Sequence, residues 1–130
     1  MTPDEIETLA TAFFAAIESG DIDTLRRLYA PGATVWHNFD GVDQGVEDNL
    51  RVLRWMIATL SNPKYDDVRR VIVEDGFFQQ HVLRGDAPGG RLEMPAMVRA
   101  TVADGRVTRI EEYLDSAQAA VLRAVQNPRG

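Results

Sequence analysis

Apolar residues recur at three- and four-residue steps up to Leu60, then alternate with polar ones from Tyr65 to Leu114. The first helix opens at Thr2-Pro3-Asp4-Glu5, where Thr2 caps, Pro3 suits the first helical position and Glu5 completes a T-x-x-E box. Ile6, Leu9, Ala10, Phe13 and Ile17 form its apolar stripe, and Ser19-Gly20 ends it through a left-handed cap. Asp21 caps a second helix with the stripe Ile22, Leu25, Leu28 and Tyr29, which Pro31-Gly32 cannot continue. Residues 33–39 carry Val35, Trp36 and Phe39 off helical spacing and predict a short strand, with Gly41 and Gly45 bounding the loop after it. A third helix follows from Val46 through Leu50, Leu53, Ile57 and Leu60, and stops at Ser61-Asn62-Pro63.

Beyond Tyr65, β-branched and aromatic residues dominate. Asp75-Gly76 and Asp104-Gly105 are hairpin turns, and a third turn near Asp86 to Gly90 joins strands 77–84 and 91–103. The even positions Leu92, Met94, Ala96, Val98, Ala100 and Val102 mark a buried face, whereas Arg91, Glu93 and Arg99 form a charged ladder on the other. Asp115 caps a short last helix running through Val125. Helices first and a strand meander afterwards predict an α+β fold: N-terminal helices packed on one face of a curved, mostly antiparallel sheet. Such a cone leaves an open mouth suited to an apolar pocket.

The length, 130 residues, fits one domain over 1–130, and a formal net charge of -6 without a basic stripe argues against nucleic acid and anionic lipid as partners. Zero cysteines remove disulfides and thiolate chemistry and fit a cytoplasmic setting. The acidic amino terminus is unlike a signal peptide, and no run of 18 apolar residues suggests a membrane span. Two histidines, His37 and His81, without metal-ligand spacing, predict no metal, and the absence of glycine-rich phosphate loops predicts no nucleotide cofactor.

The element order, with Ser19-Gly20-Asp21-Ile22-Asp23, Ala33-Thr34-Val35-Trp36-His37-Asn38 and Asp104-Gly105-Arg106-Val107 leading to Glu112-Tyr113-Leu114-Asp115, resembles the nuclear transport factor two-like superfamily. The closest likeness is to its SnoaL-like, polyketide-cyclase-related branch, over nearly the whole chain. The resemblance implies the cone fold, a cystatin-like roll; its members include isomerases, cyclases, dehydratases, epoxide hydrolases and non-catalytic modules. The ketosteroid isomerase pattern is not met: its strand base falls near His37, its helix-one tyrosine on Phe13, and its second acid about Ala96 or Met97. Limonene epoxide hydrolases are matched in part, their Tyr-x-Asn by Trp36-His37-Asn38 and their last-strand Asp by Glu112. Val82 and Arg84 stand where their Arg-x-Asp would be.

Strand alternation puts Glu112 between Ile110 and Leu114 on an apolar face, where it is either a desolvated acid–base group or an ion-paired edge residue. His81 shares a face with Phe77, Gln79 and Leu83; it is either the partner of Glu112 in proton transfer or a core histidine bonded to backbone. His37 and Asn38 point to opposite faces, so one of them reaches the pocket as a hydrogen-bond positioner. Trp36 is expected as an apolar wall and Tyr113 as a weaker substrate contact, whereas Tyr29, Trp55 and Met56 read as packing. The expected function is binding of a small apolar molecule in the cone, with cofactor-independent isomerase, cyclase, dehydratase or epoxide hydrolase chemistry. The alternative is a non-catalytic ligand-binding or dimerisation module, and a homodimer is expected through the sheet.

Overall fold

The computed structural model describes residues 1–122. Helix α1 (Pro3–Ser19) starts where expected: the Thr2 hydroxyl accepts from the Glu5 backbone N–H at 3.1 Å, and the Glu5 carboxylate accepts from the Thr2 N–H at 2.7 Å. Gly20 ends it at φ 72°, in the left-handed region. Helix α2 (Ile22–Leu28) is capped by Asp21, which accepts from the Thr24 N–H at 3.1 Å. Strand β1 (Tyr29–His37) begins four residues earlier than the sequence pattern suggests, because Tyr29 extends the apolar spacing of α2 while already lying in the sheet. The segment Asp43–Gly45 adds a short strand, β2, that no hydrophobic pattern marks. Helix α3 (Val46–Thr59) precedes β3 (Ser61–Val73), β4 (Gly76–Ala87), β5 (Gly90–Ala103) and β6 (Arg106–Leu114).

The sheet runs β2-β1-β6-β5-β4-β3. The last four strands form the expected meander, and β1 closes onto β6 in parallel, so the sheet is mixed. Asp115 caps a 3-10 turn (Ser116–Ala119) by accepting from the Ala117 N–H at 3.1 Å; the end of the expected helix, at Val125, lies outside the described residues. Among the described residues no helix is long and apolar enough to cross a membrane.

Two apolar clusters fill the concave side. The larger joins α1 and α2 to β1, β4, β5 and β6 through Ile6, Phe13, Leu25, Phe77, Val107 and their neighbours. Each such fully buried large side chain stabilises the fold by about 1.5–3 kcal/mol. The smaller, Leu60, Leu83, Leu92, Met94 and Leu122, packs where β4 and β5 approach their turn. Gly85 makes this seat possible, since a Cβ there would stand 2.6 Å from the Cγ of Leu60. The even-numbered face of β5 points inward as expected, and the charged ladder lies outside, with Arg91–Asp86, Arg84–Glu93 and Arg99–Asp75 at 3.0, 3.0 and 2.8 Å. These exposed pairs contribute little net energy.

Candidate active site

Strand register sets a row of side chains across the concave face: Arg70 faces Gln79, Gln79 faces Val98, Val98 faces Glu112, and Glu112 faces His37. Only Val98 is apolar. A polar row through an apolar core is costly unless its members satisfy one another, and they do so in two groups.

At one end the Nε2 of His37 stands 3.1 Å from the Oε1 of Glu112. The two side chains are 13% and 20% exposed, largely withdrawn from water. A carboxylate only accepts, so the proton of this contact sits on Nε2. In the neutral ring Nδ1 then carries the free lone pair, and that atom is buried without a hydrogen-bond partner. Beside the pair lies a half-open cavity of about 50 Å³, lined by Phe13, Phe14, Tyr29, Leu53, Tyr65 and Ile110 among others. Tyr29 donates its hydroxyl proton to the Oδ1 of Asn49 at 2.8 Å, and Asn49 donates from Nδ2 to Gln44 at 3.3 Å. Burial, and then the negative charge of Glu112, raise the Tyr29 and Tyr65 phenols well above their ordinary value. Both therefore stay protonated at neutral pH. The backbone N–H of Tyr65 donates to the Glu18 carboxylate at 2.7 Å, which ties the end of α1 to β3.

At the other end Arg70 donates from Nε to the Oε1 of Gln79 at 2.8 Å and is itself held by Glu7 and Thr11 of α1. Gln79 meets the Nδ1 of His81 at 2.9 Å. His81, 3% exposed, packs edge-on against Tyr65 and Phe14, with centroids 4.6 and 5.5 Å apart; its Nε2 is buried and unpartnered. Burial lowers its pKa, Glu112 opposes that shift, and Arg70 adds to it.

Set against the sequence reading, Glu112, His37 and His81 share the concave face, but the contact partner of Glu112 is His37, and His81 is bonded to Gln79 rather than to backbone. Trp36 and Tyr113 lie on the opposite sheet face, against each other at 5.3 Å, because each is one residue out of phase with an inward neighbour. They do not line the cavity. Asn38 also stays outside, where its side chain donates to the carbonyl of Leu114 and accepts from its N–H, joining β1 to β6. Tyr29 contributes a polar atom to the cavity as well as packing. Gln79 lies on the face of His81, where the sequence pattern puts it as the amide of a pocket wall; Asn49, Tyr65 and Arg70 are additions from the structure, although Asn49 interrupts the stripe of α3. Among the described residues no three His, Asp or Glu side chains gather closely enough to hold a metal ion.

No curated protein matches the sequence. Solved structures do match the fold. PrhC from Penicillium brasilianum superposes with a TM-score of 0.86 at 18% identity, covering 98% of this chain and 93% of its own. AusH from Aspergillus nidulans gives 0.78 at 19% identity over 88% and 86%. IdmH from Streptomyces antibioticus, provisionally named a polyketide cyclase, gives 0.78 at 22% identity over 95% and 99%. The family model of the SnoaL-like domain matches residues 10–110, and the chain belongs to that family.

Proposed function

We propose that the chain binds a small apolar molecule in the cone and moves a proton on it by acid–base chemistry, without a cofactor, with His37 as the base and Glu112 as its orienting partner. The observation that carries this reading is the buried, unpartnered Nδ1 of His37, whose opposite nitrogen is fixed by a carboxylate 3.1 Å away. A carboxylate–histidine pair with the distal nitrogen free is the arrangement in which imidazole accepts a proton while its charge is stabilised from behind. For a carbonyl compound, Nδ1 takes the proton from the carbon next to the carbonyl as the C–H bond breaks. Its electron pair moves toward the oxygen, and the imidazolium returns the proton to carbon or oxygen. Isomerisation and intramolecular ring closure both proceed through that enolate. The polyketide cyclase naming of IdmH fits the same chemistry.

The space of about 50 Å³ holds one or two waters, against about 300–1,000 Å³ for a usual ligand pocket. A larger substrate therefore enters as side chains on α3 yield, where Leu53, Trp55, Met56 and Ile57 are only half-buried. The test is exchange of the α-protons of acetone and of cyclohexanone into D2O, followed by NMR. The wild type accelerates exchange, and His37→Ala lowers the rate by roughly 10²–10⁴-fold. Exchange no faster than buffer, or equal rates in both proteins, overturns the proposal.

The small cavity and an apolar band outside the sheet favour a second reading, a non-catalytic module that pairs with its twin. Val71, Phe78 and Tyr113 are 62%, 39% and 55% exposed, and Val71, Phe78, Met97 and Tyr113 share the outer face. In that reading light scattering gives a dimer that Phe78→Asp dissociates, and the exchange assay is silent.

A further inference from the structure

The chain's two histidines each keep one nitrogen bonded and one buried without a partner, and the two free nitrogens are of opposite character. At His37 the free nitrogen is an acceptor. At His81 the bonding fixes the reverse. A guanidinium has only donors, so Arg70 obliges Gln79 to turn its oxygen toward Nε. The Gln79 amide nitrogen, also only a donor, then faces the Nδ1 of His81. That nitrogen must accept, and the ring proton is left on Nε2.

We infer that the Arg70–Gln79 pair holds His81 as a neutral side chain with its proton on Nε2, a fixed hydrogen-bond donor for an oxygen of the molecule bound in the cone. The inference rests on the catalytic reading of His37 and deepens it by naming the ligand class: a compound with a carbonyl or similar acceptor oxygen, held at His81 while His37 works on the neighbouring carbon. His81 is nine-tenths and more buried; its ring is one layer back from the cavity lining, packed against Tyr65 and Phe14, which do line it, so a ligand reaches the Nε2–H as those two rings shift. The charged groups that act on it are Glu112 of β6 and Arg70 of β3. Arg70 works against a second positive charge on the ring, whereas Glu112 would favour one. Burial sets the balance and keeps the ring neutral. Arg70 and Gln79 are positioning residues here; they reach the ligand through His81 alone. Their anchorage to Glu7 and Thr11 makes α1 part of the device.

The experiment is ¹⁵N–¹H correlation of the histidine rings in the intact wild-type chain at neutral pH, with His37→Gln used to assign the two spin systems. The expected result is a protonated Nε2 and an unprotonated Nδ1 at His81. In Gln79→Glu the carboxylate accepts from the ring, and the proton moves to Nδ1; Arg70→Gln loosens the preference. Saturating acetone should shift the His81 Nε2–H resonance. A wild-type proton on Nδ1 of His81, or a Gln79→Glu spectrum unchanged from wild type, overturns the tautomer lock without any variant having to be active. A resonance at Nε2 that ignores acetone while α-proton exchange proceeds overturns the donor role and leaves the His37 reading standing. Absent exchange with a shifted Nε2–H does the opposite.

Discussion

Tyr29→Phe is the sharpest structural test of the cavity, because it deletes one oxygen and no packing volume to speak of. Tyr29 and Asn49 are each 4% exposed, and the bond between them is 2.8 Å long. Removing the donor leaves the Asn49 Oδ1 in the cone without its partner, which costs about 1–3 kcal/mol. The adjoining space of about 50 Å³ has room for a water that can replace the lost donor, so the value should fall in the lower half of that range. Urea unfolding at constant m reads it directly, and each kcal/mol should lower Tm by roughly 3–6 °C in a domain of this size. Adding Asn49→Leu should not deepen the loss, since it removes the orphaned acceptor, and Gln44 is half-exposed and can hydrate. A Tyr29→Phe loss smaller than about 0.3 kcal/mol, or a double variant that costs the sum of the singles, would refute the claim that these groups satisfy each other.

Three further outcomes follow from the same geometry. Burial keeps the pKa of His81 below its ordinary 6.5, so as pH falls through that value the unfolded chain takes up a proton that the folded one refuses. Stability is therefore full above about pH 6.5 and declines toward lower pH; urea midpoints between about pH 8 and about pH 5 should show this, and His81→Phe should flatten the slope. Asp115→Ala removes a cap and should cost about 0.5–2 kcal/mol by thermal melting while leaving acetone exchange unchanged. In Gly76→Ala the new Cβ would stand 1.9 Å from the Ala100 carbonyl oxygen, so the β4–β5 pairing must shift at a cost of about 1–3 kcal/mol or more, seen as faster amide exchange at its end.

Local patterns carried the helices and the faces of the strands. Thr2, Asp21 and Asp115 are caps by chemistry that needs no tertiary partner, and the alternation around Ile110, Glu112 and Leu114 put the carboxylate on the concave side before any neighbour was known. What escaped depends on pairing between distant segments. His37 meets Glu112 because β1 lies parallel to β6, a contact spanning most of the chain, after a register shift between Tyr29 and Thr34. Arg70 faces Gln79 beyond another shift, between Asp66 and Arg69. The shift in β3 changes its inward phase from Tyr65 to Arg70, whereas Tyr29, Ala33, Val35 and His37 keep one phase along β1; neither irregularity leaves a composition signal. Trp36 shows the same limit from the other side: its size suggests a pocket wall, but being adjacent to His37 puts it on the opposite face.

The size of the cavity bears on the function as much as its polar atoms do. Phe13, Phe14 and Tyr65 are among the side chains that line a cavity of only about 50 Å³, so the site as it stands has room for water or a very small molecule. A substrate of several rings has to dislodge part of α3, and the half-buried Leu53, Trp55, Met56 and Ile57 would each give up a fraction of the roughly 1.5–3 kcal/mol that full burial of such a side chain contributes. The bound molecule must offset that loss with its own apolar surface, and its apparent affinity falls by the population of the open form. Polar fragments cannot do so; flat, apolar carbonyl compounds can, because they replace the displaced side chains in kind and bring one oxygen to a waiting donor. The same accounting explains why the two histidines tolerate burial with a free nitrogen each. Without a ligand those buried atoms are costly, and under the proposed function the cost is recovered when a ligand supplies a C–H to one and an oxygen to the other.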